Sequence, residues 1–200
     1  HDIGPESLRL FLMAFAAMLG GIIWIAPAGF LKLRLGINEV ITTLLLNYIA
    51  FNFLLHLLFG PWKDPVSGFP HSAQFDLVER LPKLGWENLT YALPLAIFLV
   101  LLVWWILSFS RVGYLLSFVS SNPTMAKAVG APVLGLSITA IIISGAIGGL
   151  TGFAIASGIE FRMTRDFFSG FLFSGVLIAF LARNHPLGVS VVALFMAILV

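Results

Sequence analysis

Charge-free apolar runs separated by short polar segments dominate the pattern of this chain. Four runs lack Asp, Glu, Lys and Arg and exceed the ~20 residues that a helix needs to cross a bilayer. They are Leu10 to Leu31, Val40 to Trp62, Asn88 to Ser110 and Ala128 to Ile159. Two shorter runs follow, Phe167 to Ala182 and Leu187 to Val200. The pattern predicts an all-α integral membrane protein, a polytopic helical bundle with about six membrane segments.

Composition supports a lipid bilayer as the surrounding medium. Hydrophobic residues make up 60% of the chain and charged residues 10%, with a mean hydropathy of +1.04. A soluble domain carries about 25% charged residues. The formal net charge is only +2, and no Lys/Arg run exists to follow phosphates, so we expect no nucleic-acid partner. The chain opens on His1 and stops within an apolar run, so we expect residues 1–200 to be one transmembrane domain inside a longer protein.

Two polar segments separate the longer runs. The first, residues 63–87, contains Pro65, Pro70 and Pro82, which favours irregular structure with one amphipathic turn around Leu77 to Leu84. The second covers residues 111–131. Lys and Arg do not orient the chain, because five would lie on one side of the membrane and six on the other.

The 111–131 segment contains a short helix, Pro123 to Val129, with punctuation at both ends. Asn122 can cap its free N–H groups, Pro123 suits the first helical position, and Gly130 can adopt the left-handed stop conformation. At about 1.5 Å per residue the helix is roughly 10 Å long, too short to span a bilayer. A rigid, capped helix of small residues suits a socket on another protein; an ordinary interfacial turn is the alternative.

Polar residues in the second run form two stripes with a spacing of four. The members are Glu39, Thr43 and Asn47, then Tyr48, Asn52 and His56. Polar groups are costly in lipid and normally face a bundle interior or an aqueous path. The stripes therefore predict a translocation path, with isolated interhelical hydrogen bonds as the alternative. Glu39, at the boundary, can also serve only as a helix cap.

Glycines in the fourth run have the spacing of helix-packing motifs. The pairs are Gly145 with Gly149, and Gly148 with Gly152. Small residues four apart let helix backbones approach closely in lipid. Packing within the chain and packing against another subunit both remain open.

The sequence offers no catalytic or cofactor motif. It has no cysteine, no His pair spaced by four, and no Gly-x-x-x-x-Gly-Lys-Ser/Thr phosphate loop. We therefore expect no metal, no cofactor and no enzymatic activity, with any ATP hydrolysis in a partner chain.

Several segments resemble one transporter family. Gly36 to Ala50, which reads GINEVITTLLLNYIA, and Gly60 to Pro65, which reads GPWKDP, resemble permease subunits of bacterial ABC importers for nucleosides. That group includes ribose and branched-chain amino acid permeases. Ser121 to Gly130, the glycine-rich run and His185 to Gly188 match in the same order. The resemblance runs from about Gly21 to the end of the chain.

The resemblance implies a multi-pass permease in the bacterial cell membrane. Pro123 to Val129 would be the cytoplasmic coupling helix that docks in a groove of an ABC ATPase subunit, seated through the small residues Ala126 and Gly130. Residues 63–87 would be extracytoplasmic, where a substrate-binding protein docks, and a second permease subunit would complete the complex. The family's usual basic residues before the coupling helix are absent here, where Leu115 to Ser117 stand instead.

The polar stripes also suggest the kind of solute. Asn47, Tyr48, Asn52 and His56 offer hydrogen bonds and an aromatic face without a fixed charge, which suits a nucleoside better than an anion. Simple sugars such as ribose are the close alternative, and the Gly60 to Pro65 motif favours nucleosides by resemblance. An ion-coupled secondary transporter is the alternative class; only the titratable His56 within this run supports it.

Overall fold

Helices make up most of the chain. The computed structural model describes residues 6–65, 68–85, 89–165, 171–183 and 185–199. Within these ranges lie eight α-helices: α1 (Glu6–Leu35), α2 (Glu39–Phe59), α3 (Ala92–Phe109), α4 (Arg111–Ser121), α5 (Pro123–Ala128), α6 (Val133–Ile155), α7 (Phe171–Leu181) and α8 (Pro186–Leu199). A 3₁₀ turn (Leu77–Glu79) follows α2, and a π-helical turn (Ala156–Glu160) extends α6. The described residues contain no strand, so the all-α prediction is confirmed.

Four of these helices are long and apolar enough to cross a membrane. They are α1, α2, α3 and α6 with its π-helical turn, and they coincide with the four long apolar runs. The helices α7 and α8 have only 11 and 14 residues, and residues 166–170 before α7 lie outside the described ranges. Membrane crossing by these two segments stays a prediction.

Several helices begin or end next to Gly or Pro residues rather than at the ends of the apolar runs. The helix α2 ends at Phe59, and Gly60 is its C-cap. Gly60 precedes Pro61, and a residue directly before a proline rarely adopts helical backbone angles. Likewise α6 begins only at Val133, after Pro132. The pattern of apolar runs does not predict α4, which begins where the Ser110 hydroxyl accepts a hydrogen bond from the Gly113 N–H at 3.0 Å.

The chain divides into two compact units. The first contains α1, α2, α6 and the loop after α2; the second contains α3, α4, α5, α7 and α8. In the first unit, α1 and α2 form an antiparallel hairpin through Gly36, whose φ is +66°. Lys32 and Glu39 form an ion pair across this turn. Further along, the Trp24 and Phe53 rings stack with their centroids 6.4 Å apart.

The helices α1 and α6 touch through their backbones. A Cβ added to Gly21 would lie 2.8 Å from the Gly149 nitrogen and would overlap the Gly145 carbonyl oxygen. A Cβ on Gly145 would lie 2.8 Å from the Ile22 Cα, and one on Gly149 would overlap the Ala17 carbonyl. Because residues 17 and 21 face residues 149 and 145, the two helices run antiparallel.

The second predicted pair of packing glycines in α6, Gly148 and Gly152, lies in different surroundings. A Cβ on Gly148 or Gly152 would meet no atom within 4 Å in the structure. One pair of the predicted packing glycines therefore faces α1, and the second pair leaves open space.

The loop after α2 is anchored on the end of α6. Ser72 and Met163 are joined twice: the Ser72 N–H donates to the Met163 carbonyl at 2.9 Å, and the Met163 N–H donates to the Ser72 hydroxyl at 2.8 Å. The Phe75 N–H donates to the Phe161 carbonyl at 2.8 Å, and the Leu81 N–H to the Ser157 carbonyl at 2.9 Å. The loop is irregular, as expected, and its 3₁₀ turn lies inside the predicted amphipathic turn.

Alanine at Gly21 or Gly149 should destabilise the protein, because the new methyl group meets backbone atoms that cannot move aside independently. The cost of such overpacking is about 1–3 kcal/mol. Alanine at Gly148 or Gly152 is the matched control, since it enters open space within a helix and alanine is the better helix former. Thermal unfolding of the purified protein in detergent measures the difference. Equal losses at all four positions would contradict the contact between α1 and α6.

Candidate functional site

The polar residues of α2 fall into a group with hydrogen-bond or ion-pair partners at the start of the helix and a second group further along it. Glu39 is the first residue of the helix and pairs with Lys32. The Asn38 side chain caps the same helix end by accepting a hydrogen bond from the Val40 N–H at 2.9 Å. The Thr43 hydroxyl donates to the Glu39 carbonyl at 2.8 Å. Glu39 and Thr43 therefore have partners within the α1–α2 turn and the first turns of α2.

The second stripe lies on an open face of the helix. The Tyr48 side chain is 72% exposed, and Asn52 and His56 are exposed, whereas Asn47 is half-buried. The Asn52 amide donates to the Tyr48 carbonyl at 2.8 Å, a bond within the helix that leaves the amide oxygen available. The face carries a phenol, amides and an imidazole, and can bind an uncharged polar solute through hydrogen bonds and ring stacking.

The helix α5 has the punctuation that its sequence predicts. The Asn122 side chain accepts a hydrogen bond from the Met125 N–H at 3.0 Å, and Pro123 is the first helical residue. Gly130 has φ +82°, a left-handed value that favours glycine. The helix is one residue shorter than expected, since Val129 is its C-cap.

The side chains of α5 do not all face outward. Ala126 is fully buried, because α5 packs back on the chain, and the Ala131 N–H donates to the Ala126 carbonyl at 2.9 Å. Met125 is 58% exposed and Val129 is 72% exposed. The resemblance implies docking through Ala126 and Gly130, whereas the structure buries Ala126 and exposes Met125 and Val129. The spacing of four between Met125 and Val129 places both side chains on one helix face.

Arg80, in the 63–87 loop, makes contacts that the sequence does not predict. The Arg80 guanidinium carbon lies 5.1 Å from the centre of the Phe161 ring, and its Nε and Nη2 donate to the Phe75 carbonyl at 2.9 and 2.8 Å. No sequence pattern links positions 80 and 161. In the described part of the chain, no three His, Asp or Glu side chains come together as metal ligands.

Comparison with known proteins gives consistent matches over nearly the whole chain. Residues 3–200 match the family described as branched-chain amino acid transport system, permease component. A glucose ABC transporter permease protein of Haloferax volcanii is 30% identical, over 98% of this chain and 54% of the relative. A guanosine ABC transporter permease protein of Bacillus subtilis is 28% identical, over 95% of this chain and 56% of the relative. A nucleoside ABC transporter permease protein of Lactococcus lactis is 26% identical, over 98% and 56%.

The chain spans about half the length of these curated relatives. No solved structure matches it. Because the family match extends from residue 3 to residue 200, the protein belongs to the family of permease components of branched-chain amino acid transport systems.

Proposed function

We propose that this chain is the transmembrane permease subunit of an ATP-driven ABC importer for nucleosides in a bacterial cell membrane. The observation that carries the proposal is the family match over nearly the whole chain. Its curated relatives include ABC permeases for guanosine and for nucleosides. The four long apolar helices suit such a subunit. ATP hydrolysis would belong to a partner chain.

The open face of α2 is the proposed wall of the translocation path. Tyr48, Asn52 and His56 present hydrogen-bonding groups and a ring to a passing solute. A carboxylate or phosphate would normally meet Arg or Lys, and α2 contains neither. A neutral solute with hydroxyl groups and an aromatic base fits this face. Asn47, half-buried beside it, would complete the polar track, while Glu39 holds the end of the hairpin.

The helix α5 is the proposed coupling helix toward the ATPase subunit. Met125 and Val129 are its exposed apolar side chains, and they would enter the groove of the ATPase. Ala126 would act from the opposite side, since its small buried side chain lets α5 pack on the rest of the chain. Gly130 would end the helix sharply. ATP-driven closure of two ATPase subunits would move α5 and so change the side of the membrane from which the path is accessible.

The remaining partners follow from the same proposal. A second permease subunit would supply the opposite wall of the path. The 63–87 loop would face the extracytoplasmic side and receive a substrate-binding protein. Its hydrogen bonds to residues 157, 161 and 163 would keep it in place during docking.

A sugar importer is the second candidate. The glucose permease of Haloferax volcanii is 30% identical to this chain, against 28% for the guanosine permease. Glucose is also neutral and rich in hydroxyl groups, so the α2 face accepts it on the same physical grounds. An ion-coupled transporter is disfavoured by the family match.

The proposed membrane topology places residues 63–87 and α5 on opposite sides, because one span, α3, separates them. We expect an impermeant thiol reagent to label Cys at Gln74 in whole cells, and Cys at Thr124 only after permeabilisation. Both residues are exposed, and this sequence has no cysteine of its own. Ser72 is a poorer probe because its hydroxyl is bonded to Met163. Labelling of both positions in intact cells would refute this topology.

Substitution of Val129 with Asp should weaken copurification of the ATPase subunit, because a charge would enter an apolar groove. Val129→Thr, nearly the same shape, is the matched control and should retain the ATPase. Ala126→Asp should instead reduce the amount of folded protein, since it buries a charge. The docking role of α5 would be wrong if Val129→Asp bound the ATPase and transported solute like the parent.

Substitution of Asn52 with Leu should lower uptake by roughly two- to tenfold, the effect of losing one uncharged hydrogen bond of about 0.5–1.5 kcal/mol. Thr151→Val is the matched control: Thr151 is an exposed α6 residue whose hydroxyl bonds to its own helix. Uptake of labelled guanosine, adenosine, uridine, ribose and glucose by cells with the whole system identifies the solute. Import of sugars without nucleosides would overturn the nucleoside assignment and favour the sugar importer.

A further inference from the structure

A pocket of about 660 Å³ lies between the start of α1, the 3₁₀ turn and the end of α6. Leu10 and Leu77 contribute apolar walls, Arg80 and Lys83 contribute cations, and Phe161 closes one side. The translocation face of α2 contributes no residue to this lining. The pocket is therefore a feature separate from the proposed solute path.

The pocket lies at the depth where a membrane span meets its loop. The apolar part of α1 begins at Leu8, so Leu10 belongs to the first turn of that span. The other lining residues come from the polar loop and from the residue that follows the π-helical turn. In a bilayer this level corresponds to the boundary between headgroups and hydrocarbon. A ligand here would meet both media at once.

The Arg80 side chain is fixed by two of its nitrogens, and the third nitrogen is available to a ligand. Its Nε and Nη2 donate to the Phe75 carbonyl, and its guanidinium lies over the Phe161 ring. Phe161 itself has φ +55° and ψ +14°, a left-handed conformation that is uncommon for a non-glycine residue. Its carbonyl is fixed by the Phe75 N–H. The second terminal nitrogen, Nη1, has no partner among the described residues.

Lys83 adds a second positive charge to the same pocket. It forms no ion pair with any residue in the described ranges, and its side chain is exposed. The acidic residues Asp76 and Glu79 belong to the same stretch of loop but do not line the pocket. Among the described residues that line the pocket, a ligand therefore meets two cations and no carboxylate.

The apolar wall indicates what kind of anion would fit. Leu77 is 81% exposed and lies beside the two cations. An acidic peptide would pair with the two cations but would leave Leu77 exposed. A phospholipid can place its phosphate against the cations and its acyl chain against the leucine. Arg binds phosphate through paired N–H donors, and basic pockets at membrane interfaces suit anionic headgroups.

We propose that this pocket binds an anionic phospholipid. The headgroup phosphate accepts hydrogen bonds from Arg80 and Lys83, and one acyl chain lies against Leu10 and Leu77. Because the pocket joins the start of α1 to the loop and to the end of α6, the bound lipid fastens the loop to the span. Stability of this part of the protein then depends on the lipid, whichever solute the permease carries.

The test compares the intact transport complex in nanodiscs of phosphatidylglycerol and of phosphatidylcholine. We expect phosphatidylglycerol to raise the thermal unfolding temperature of the parent by several degrees. Lys83→Gln should lose a large part of this increase while unfolding as the parent does in phosphatidylcholine. Arg162→Gln is the matched control, because it removes an exposed cation next to Phe161 that does not line the pocket. It should keep the increase.

Arg80→Lys separates charge from geometry, since lysine retains the charge but cannot form the paired contact. Native mass spectrometry should show one retained phosphatidylglycerol fewer for Lys83→Gln and Arg80→Lys than for Arg162→Gln. Equal lipid retention and equal unfolding temperatures in all variants would overturn the proposal. Stabilisation by inorganic phosphate in neutral detergent, equal to that by phosphatidylglycerol, would show a free-anion site instead. Loss of binding-protein association in Lys83→Gln, without any lipid effect, would assign the pocket to an acidic protein surface.

Discussion

The backbone contact between α1 and α6 is the interaction on which the first unit depends. In lipid, transfer of an apolar side chain from acyl chains to a helix interface yields no hydrophobic free energy, so helices associate through close packing. Gly21, Gly145 and Gly149 remove the side chains that would separate the two backbones. The same contact sets the antiparallel direction of α6. Once α6 is fixed against α1, its far end lies where the loop after α2 can reach it.

The loop is then held by backbone hydrogen bonds rather than by a core of its own. Three N–H groups of residues 72–81 donate to carbonyls of residues 157–163, and the Met163 N–H donates to the Ser72 hydroxyl. The π-helical turn contributes, because the Ser157 carbonyl accepts the Leu81 N–H and so is satisfied outside the helix. Turns of this kind are frequent at functional sites. Here the turn joins a membrane span to a polar loop, and Phe161, the residue that follows the turn, forms one side of the proposed lipid pocket.

Small residues serve different purposes in the two units. At Gly145 and Gly149 the missing side chain lets helices meet, whereas Ala126 fills a fully buried position in α5. The exposed residues of α5, Met125 and Val129, are larger and apolar. As the proposed coupling helix, α5 would contact this chain through its buried face and the partner through its exposed face, so a movement of the partner would be transmitted to this chain. The open α2 face would likewise gain its opposite wall only from another part of the complex.

The sequence by itself determined the all-helical membrane class, the four long spans and the caps of α5. These features depend on local chemistry: apolar length, the side chain of Asn122, the ring of Pro123 and the freedom of Gly130. Only the tertiary structure decided which glycine pair packs against α1, since Gly145/Gly149 and Gly148/Gly152 have the same spacing but face different directions. It also decided that Ala126 is buried and that Arg80 meets Phe161. A contact between residues 81 positions apart, such as Arg80 and Phe161, depends on how helices pack. A pattern of neighbouring residues does not contain that information.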